Sequence, residues 1–378
     1  MQVNFIDLKK QYLSIKPEID AAIQDVLDQT AFAGGPFVDA FEKNFALAHQ
    51  SKHCIAVNSG TAALHALLMA LEIGPGDEVI VPVNTFFATP QAVSLVGATP
   101  VFVDCEEVYY NIDPEKIEKA ITNKTKAIFA VHLYGQPAQM SAIKTIADRH
   151  GILLLEDCAQ AHLALYEDSP VGNFGLAGCF SFYPGKNLGA YGEGGAIVTN
   201  DDKLAAKLKL IRSHGSEQKY YHEMIGHNFR MEGLQGAILN VKLKYLSEWT
   251  ETRIKNAEIY KNLLRDAEDI ITPEVLPDIK HVYHCYVIRT ARRNELMKFL
   301  NENGIATGIH YPIPCHLQKA YSNMNLRKGS MPVSEKIAEE IISLPMSEQL
   351  QEAEIDFICK KILAFFSNEP KSLLTTIE

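Results

Sequence analysis

The chain has 378 residues, of which 47% are hydrophobic and 22% are charged, and its formal net charge is −10. This length accommodates two domains, and this composition is that of a globular protein rather than a disordered one. Acidic and basic residues are scattered along the chain, which argues against nucleic acid or an anionic membrane surface as a partner.

The N-terminus and the cysteines indicate the cellular compartment. Residues 1–10 contain no apolar signal core, and no apolar run reaches the ~18 residues needed to cross a bilayer. The seven cysteines are dispersed and form no Cys-x-x-Cys pair. We therefore expect a cytoplasmic protein with reduced, buried thiols, and neither a disulfide framework nor a metal site.

Short apolar segments alternate with helical patterns in the first 200 residues. Strand-like segments lie at 54–57, 78–83, 101–103, 127–131 and 152–155, and helical stretches begin near 58 and 90 and recur near 114–121 and 137–150. Short continuous apolar strands are typical of a parallel sheet with helices on both faces. Residues 178–182 and 195–199 follow closely on one another and are predicted to form an antiparallel addition to that sheet.

The pattern changes after about residue 235. Apolar residues at helical spacing predict one long helix from Ala237 to Glu268. A strand-like segment at 283–288, a helix near 293–303 and an amphipathic helix around 355–365 follow. These elements predict a second, smaller α+β domain, and residues after about 367 are expected to form a frayed tail.

The most informative segment is Ser181-Phe-Tyr-Pro-Gly-Lys186-Asn, in which a lysine lies in a tight Pro-Gly turn. Upstream, Asp157 ends an apolar strand. An aldehyde cofactor such as pyridoxal phosphate (PLP) needs an amine to hold it, a carboxylate for its ring nitrogen and donors for its phosphate. Dense glycines between 189 and 195 indicate a backbone that approaches a ligand closely. These features together favour a PLP site.

Each of these residues also has a purely structural interpretation. The turn at Asn58-Ser-Gly-Thr61 can bind a phosphate at a helix N-terminus or simply cap that helix. Asp157 can be a helix cap or a loop acid, and Lys186 can be a surface lysine. Glu156 points to the opposite face of its strand from Asp157 and is predicted to be structural. The turn at 58–61 has no P-loop lysine and no Gly-x-Gly-x-x-Gly, so nucleoside triphosphate and dinucleotide folds are disfavoured.

In combination the motifs resemble the DegT/StrS family of sugar aminotransferases, PLP enzymes of the aspartate-aminotransferase fold. The resemblance runs nearly end to end and is carried by the segments 5–8, 34–36, 58–64, 82–86, 156–162, 181–189, 226–231 and 310–314. It implies an α/β protein of PLP fold type I. A large PLP-binding domain (1–250) would contain a mostly parallel seven-stranded sheet, with an N-terminal arm (1–12) near the active site. A smaller α+β C-terminal domain would span 251–378.

The resemblance also implies the cofactor contacts. Lys186 would hold PLP as a Schiff base and move the proton between the substrate carbon and the cofactor. Asp157 would pair with the pyridine nitrogen, and Gln160 would hydrogen-bond the ring hydroxyl. Phe86 would stack on the face of the ring. The phosphate would be bound by Gly60, Thr61 and Ser181 of the same subunit and by Asn228 from the other subunit. The contact across subunits implies a homodimer with shared active sites.

The residues implied to face the substrate are His162, Tyr183, Arg230, His310 and Tyr311. Arg230 would anchor a glutamate carboxylate or an anion of the sugar substrate, whereas His162 can equally be a packed structural histidine. The chain departs from the family pattern at Leu163, where a small residue is usual, and at Glu193, which replaces the commoner aspartate. Leu163 puts the shape of the pocket near His162 in question, and Glu193 is a mild change.

The implied reaction is a transamination in two halves. Glutamate would convert PLP to pyridoxamine phosphate (PMP), and a nucleotide-linked keto-sugar would then accept the amine, for amino-sugar and glycan or lipopolysaccharide biosynthesis. The segment 310–318 resembles members that aminate carbon 3, such as that of a dTDP-linked 6-deoxy-hexos-3-ulose. The alternatives are a 4-keto-sugar aminotransferase acting on a UDP-, GDP- or dTDP-sugar, a PLP-dependent sugar dehydratase, and a non-catalytic PLP-binding regulator. Family dehydratases carry histidine at the lysine position, so Lys186 favours aminotransfer.

Overall fold

A seven-stranded sheet lies at the centre of the structure, a computed structural model that describes residues 1–367. In chain order the strands are β1 (His53–Val57), β2 (Glu78–Pro82), β3 (Thr99–Val103), β4 (Thr125–Val131), β5 (Leu153–Asp157), β6 (Leu165–Tyr166), β7 (Ser169–Pro170), β8 (Ala177–Ser181), β9 (Gly195–Thr199), β10 (Ser216–Gln218), β11 (Tyr221–His222), β12 (Ile279–Lys280), β13 (Tyr286–Arg289) and β14 (Ile341–Leu344). The order in the central sheet is β1-β9-β8-β5-β4-β2-β3.

Helices pack around this sheet, and helices also make up most of the regular structure after residue 232. They are α1 (Leu8–Ser14), α2 (Lys16–Asp28), α3 (Pro36–Ala48), α4 (Gly60–Ala70), α5 (Ala88–Leu95), α6 (Pro114–Ala120), α7 (Met140–His150), α8 (Asp202–Arg212), α9 (Gly233–Leu243), α10 (Leu246–Leu264), α11 (Arg293–Glu302), α12 (Pro332–Glu340) and α13 (Glu352–Ser367). Short 3-10 turns lie at 133–135, 315–317 and 319–324. Within residues 1–367, no helix has the length and apolar character that a membrane crossing requires.

The sheet is mostly parallel, as predicted, because β3, β2, β4, β5 and β8 pair in parallel in that order. Alternate side chains on these strands point to opposite faces. On one face Val79, Phe129 and Leu155 pack in the same cluster as the helices α4, α5 and α8. On the other face Ile80 and Ile128 pack in a cluster with α6 and α7. Burial on both faces explains the continuous apolar strands seen in the sequence.

The prediction of an antiparallel addition at 178–182 and 195–199 is only half right. The strands β8 and β9 are antiparallel to each other, but β8 pairs in parallel with β5 and so continues the parallel sheet. The antiparallel strand is β9 alone, which lies between β8 and β1. Proximity in sequence predicted the β8–β9 pairing, whereas the β5–β8 pairing depends on a connection of about twenty residues that local pattern does not specify.

The single long helix predicted from Ala237 to Glu268 is wrong. The chain forms two helices, α9 and α10, which are separated at Lys244 and Tyr245. Leu239 of α9 packs in the core beside β8 and β9, whereas Tyr260 of α10 packs in a different core with α11 and α13. Helical periodicity continues on both sides of the break, so the pattern of apolar residues does not reveal it.

A smaller α+β unit follows, in which β13 and β14 form an antiparallel pair beside α10, α11 and α13. The N-terminal segment joins this unit, because Val3 forms a parallel bridge with Ile305. The predicted boundary between residues 250 and 251 falls inside α10. The predicted frayed tail lies outside the described residues.

Glu156 is the buried anchor at the end of β5. Its carboxylate accepts hydrogen bonds from the backbone N–H groups of Gly172, Phe174 and Gly175, at 2.7, 2.8 and 2.8 Å. His132 contributes a fourth bond of 3.1 Å from Nε2, whose proton is fixed there because Nδ1 accepts from the Ala138 N–H. The predicted structural role of Glu156 agrees with this geometry.

We expect Glu156→Gln to lower the free energy of unfolding by about 2–4 kcal/mol, because an amide leaves some of these buried N–H groups without an acceptor. Urea unfolding followed by circular dichroism measures this change. Glu118→Gln is the matched control, since its exposed carboxylate pairs with Arg149 and His150 at the surface, where ion pairs contribute little to stability. Equal losses in the two variants would contradict the prediction.

Candidate active site

A cavity of about 600 Å³ opens at the carboxyl ends of the central strands, where parallel sheets present ligand-binding groups. It is lined by the ends of β4, β5 and β8, by the start of α4, and by residues that follow β2. Phe5 and Ile6 of the N-terminal segment and His284, Cys285, His310 and Tyr311 from the C-terminal part of the chain complete its wall.

Most of the predicted site residues meet in this cavity. Those that line it are Gly60, Thr61, Phe86, Asp157, Gln160, Ser181, Tyr183, Lys186, His310 and Tyr311. Asn228, Arg230 and His162 do not line it. The cavity therefore unites residues from Phe5 to Tyr311, which are 306 positions apart in the chain (311 − 5).

Lys186 lies in the turn after β8, where its N–H donates to the Tyr183 carbonyl at 2.8 Å. Burial lowers the pKa of its amine, while the negative charge of Asp157 opposes that shift. An amine with a lowered pKa is more often unprotonated near neutral pH and can then attack an aldehyde. Lys186 thus has the environment expected of a Schiff-base lysine.

Asp157 lies at the end of β5 with 6% of its surface exposed. Its Oδ2 accepts from the Thr89 hydroxyl at 2.8 Å, and its Oδ1 accepts from the Ala159 N–H at 3.1 Å. Burial raises the pKa of this carboxyl, and the two hydrogen bonds and Lys186 lower it in part. A buried carboxylate with this set of contacts is stabilised further by a cationic partner in the cavity.

The start of α4 forms the second feature of the cavity. Ser59 caps the helix, since its Oγ accepts from the Ala62 N–H at 3.0 Å. The N–H groups of the first turn have no carbonyl within the helix, so those of Gly60 and Thr61 can bind an anion. Gly60 is required here, because an added Cβ would lie 2.6 Å from the Cβ of Ser181. The two interpretations of this turn, cap and anion site, are compatible.

Gln160 is held in one orientation at the cavity wall. Its Oε1 accepts from the Tyr134 N–H at 2.6 Å, and its Nε2 donates to the Tyr311 hydroxyl at 3.0 Å. The Tyr134 hydroxyl in turn donates to the carbonyl of His310. Phe86 is 53% exposed, and its ring centroid lies 5.4 Å from that of Tyr311.

His310 is clamped on two sides. Its ring stacks on Phe5 of the N-terminal segment with centroids 5.7 Å apart, and its Nδ1 lies 2.8 Å from the Ser343 hydroxyl. Burial lowers the pKa of His310 to about 4, with a smaller contribution from Lys186. The imidazole is therefore neutral near pH 7, which suits hydrogen bonding to a neutral sugar group.

The structure does not support a substrate contact by His162. Its side chain is fully buried between Phe180 and Phe182, with ring centroids at 5.5 and 5.7 Å. Gln160 is the last residue of this stretch that lines the cavity, and the side chains that follow it, beginning with Ala161, pack in the core. Leu163 also packs in this core and does not narrow the cavity.

Two further predicted residues lie outside the cavity of this chain. Arg230 forms a backbone bridge with Val57 and does not reach the wall, and Asn228 forms one with Ser213. For Asn228 this agrees with the expectation that it serves the site of another subunit, which stays a prediction. Glu193 lines the cavity.

Sequence reasoning missed several residues that shape the site. Thr89 positions Asp157 through its hydroxyl. Of these residues, only Thr89 could have been recognised in the sequence, because it is a polar residue at the start of an apolar helix. Tyr134 has left-handed backbone angles (φ 61°) and holds Gln160. His284 and Cys285 line the cavity from within a strand-like run that reads as core.

Comparison with known proteins agrees with this geometry. The model of the DegT/DnrJ/EryC1/StrS aminotransferase family matches residues 13–363. The chain belongs to this family. A protein of Geobacillus stearothermophilus named pleiotropic regulatory protein is 46% identical over 97% of this chain and 99% of its own length. A dTDP-3-amino-3,4,6-trideoxy-alpha-D-glucose transaminase of Streptomyces venezuelae is 45% identical over 93% of this chain and 92% of its own length.

Solved structures give the same result. DesV of S. venezuelae, in complex with a ketimine intermediate, has a TM-score of 0.95 at 43% identity, covering 98% of this chain and 99% of DesV. NtdA of Bacillus subtilis, with bound PMP, has a TM-score of 0.90 at 32% identity, covering 97% of this chain and 85% of NtdA. The family is PLP-dependent, and the chain is accordingly an aminotransferase with PLP as its cofactor.

The cavity of this chain fits PLP. A buried carboxylate, Asp157, suits a protonated ring nitrogen, and the lowered pKa of Lys186 suits an aldehyde. The start of α4, where Gly60 leaves no room for a side chain, suits a phosphate.

We expect Gly60→Ala to weaken PLP binding by about tenfold or more, equal to about 1.4 kcal/mol, because the new methyl group forces α4 away from Ser181. Titration of the cofactor-free protein with PLP, followed by absorbance, measures the change. Gly74→Ala is the control, because its added Cβ would lie 3.6 Å from the nearest atom, an ordinary contact. Unchanged PLP affinity in Gly60→Ala would show that the close approach is not needed.

Proposed function

We propose that this protein transfers the amino group of glutamate to a nucleotide-linked keto-sugar, with Lys186 as the amine that holds PLP. The observation that carries the proposal is that Lys186 and the buried carboxyl of Asp157 share one cavity and interact electrostatically. Membership in an aminotransferase family supports it.

The roles of the individual residues follow from their environments. Bound PLP supplies an electron sink for chemistry at the carbon that carries the nitrogen. Asp157 would keep the ring nitrogen protonated, Gln160 would hydrogen-bond the ring hydroxyl and Phe86 would cover the ring face. Gly60, Thr61 and Ser181 would bind the phosphate. The Nζ of Lys186 would take and return the proton of the substrate carbon, for which its lowered pKa is suited.

The first test is the absorbance spectrum of the protein with PLP, before and after glutamate. Wild type should show a visible band that glutamate removes, with release of 2-oxoglutarate, and Lys186→Ala should lack this response. Lys144→Ala, which removes an exposed surface lysine paired with Asp148, should behave as wild type. A band that glutamate leaves unchanged would point to another donor or to dehydration, and no band in wild type would refute the role of Lys186.

We further propose that the active form is a homodimer in which Asn228 of each subunit contacts the phosphate in the other subunit's site. Asn228 lies on this chain at a backbone bridge near Asn58, outside the chain's own cavity. A cytoplasmic location is consistent with seven buried free cysteines, all of them within the described residues.

For the sugar we propose amination at carbon 3, with a dTDP-linked 6-deoxy-hexos-3-ulose as the substrate. The names of similar proteins support this position: the S. venezuelae transaminase is named for a dTDP-3-amino sugar. The neutral His310, together with Tyr183 and Tyr311 on the cavity wall, gives the cavity uncharged hydrogen-bonding groups for such a sugar.

To test the position, the protein carrying PMP is incubated separately with the 3-keto sugar and with its 4-keto isomer, and the products are analysed by mass spectrometry and NMR. We expect the 3-keto compound to be aminated at least about a hundredfold faster, a difference of about 2.7 kcal/mol. Faster reaction of the 4-keto isomer would support the 4-aminotransferase alternative.

A PLP-binding regulator is the second candidate, because one similar protein bears the name pleiotropic regulatory protein. Such a protein would bind the cofactor without turnover. The glutamate response separates the two candidates.

A further inference from the structure

Lys242 is a buried lysine that the proposed chemistry does not use. It lies on α9 with 1% of its surface exposed. An ammonium in such a place costs several kcal/mol unless it is well paired. Its Nζ donates to the carbonyl of Gly189 and lies 5.0 Å from the ring centroid of Tyr191. Burial lowers the pKa of Lys242 to about 8, and Glu348 opposes this shift.

The carbonyl that Lys242 holds belongs to the segment directly after Lys186. This segment folds back tightly, because an added Cβ on Gly189 would lie 2.3 Å from the Pro184 carbonyl oxygen. At one end, the side chain of Asn187 donates to the Val282 carbonyl at 2.9 Å. Further along, the Ala190 N–H donates to the Phe182 carbonyl at 2.8 Å, while the Gly189 carbonyl and the Tyr191 N–H are bound by side chains of α9.

A second residue of α9 contacts the same segment. Gln235 accepts from the Tyr191 N–H at 2.9 Å through its Oε1. Gln235 and Lys242 are two helical turns apart and so lie on one face of α9. Together they satisfy one carbonyl and one N–H of the segment that begins at Lys186.

We propose that Lys242 is a positioning residue for Lys186: with Gln235 it holds the backbone of residues 187–191 and thereby fixes the turn from which Lys186 enters the cavity. The inference rests on the proposed function of Lys186. Misplacement of a reacting group by about 1 Å can cost about a hundredfold in rate. An apolar residue of similar volume would avoid the cost of burying the ammonium but could not hold the Gly189 carbonyl.

The test compares Lys242→Met, Lys242→Arg and Gln235→Ala with the control Lys244→Met, which removes an exposed lysine paired with Glu18 on the surface. Hydrogen–deuterium exchange of a peptide spanning residues 182–192 is measured in the cofactor-free protein, where the N–H groups of Lys186, Ala190 and Tyr191 are hydrogen-bonded. The rate of the glutamate-driven spectral change is measured in the loaded protein.

We expect Lys242→Met to speed exchange in this peptide and to slow the glutamate step by about ten- to a hundredfold. Lys242→Arg should restore part of the rate, and Lys244→Met should match wild type. Gln235→Ala should show the same pattern to a smaller degree, and it decides the question if Lys242→Met does not fold.

Wild-type exchange and wild-type rate in Lys242→Met and Gln235→Ala would overturn the inference. So would faster exchange throughout the protein, which would indicate a general structural role. Failure of the proposed function has a different signature: wild type itself would not respond to glutamate, while the exchange experiment would still report whether Lys242 holds the segment.

Discussion

The interaction on which the site depends is that of a buried amine with a buried carboxyl, Lys186 with Asp157. Burial disfavours the charged form of each, and each charge favours the other. The balance leaves an amine that loses its proton more easily than a solvated lysine and a carboxyl that gains from a cationic partner. Both properties suit PLP, the cofactor of the family to which the chain belongs.

The fold maintains this pair by giving adjacent acids on β5 opposite surroundings. Glu156 faces the core and binds three backbone N–H groups, which fixes the end of the strand. Asp157 faces the cavity and has its orientation set by Thr89 and Ala159. Because side chains alternate along a strand, anchoring one acid positions the next. Lys186 is held in a comparable way, through contacts of α9 with the backbone after it.

The cavity is completed by parts of the chain that are remote in sequence. Phe5 stacks on His310, and the His310 ring is hydrogen-bonded to the hydroxyl of Ser343 on β14. Val3 bridges to Ile305, so the N-terminal segment is tied to the C-terminal unit. The wall that would face the substrate therefore forms only after the sheet, the C-terminal unit and the N-terminal segment have all packed together, whereas the proposed PLP contacts come mostly from the sheet and α4.

The sequence by itself determined the alternation of strands and helices and the mostly parallel sheet, because strand periodicity, turn glycines and helix starts depend on neighbouring residues. For Gly60, Asp157 and Lys186 the local pattern left a structural interpretation open; the family resemblance implied their cofactor roles, and the fold places all three in one cavity. Only the tertiary structure decided that β8 joins β5, that α9 and α10 are separate, and that His162 lies in the core. It also brought Thr89, Tyr134 and His284 to the site. Such outcomes depend on which surfaces pack against each other, and a linear pattern of apolar and polar residues does not specify that choice.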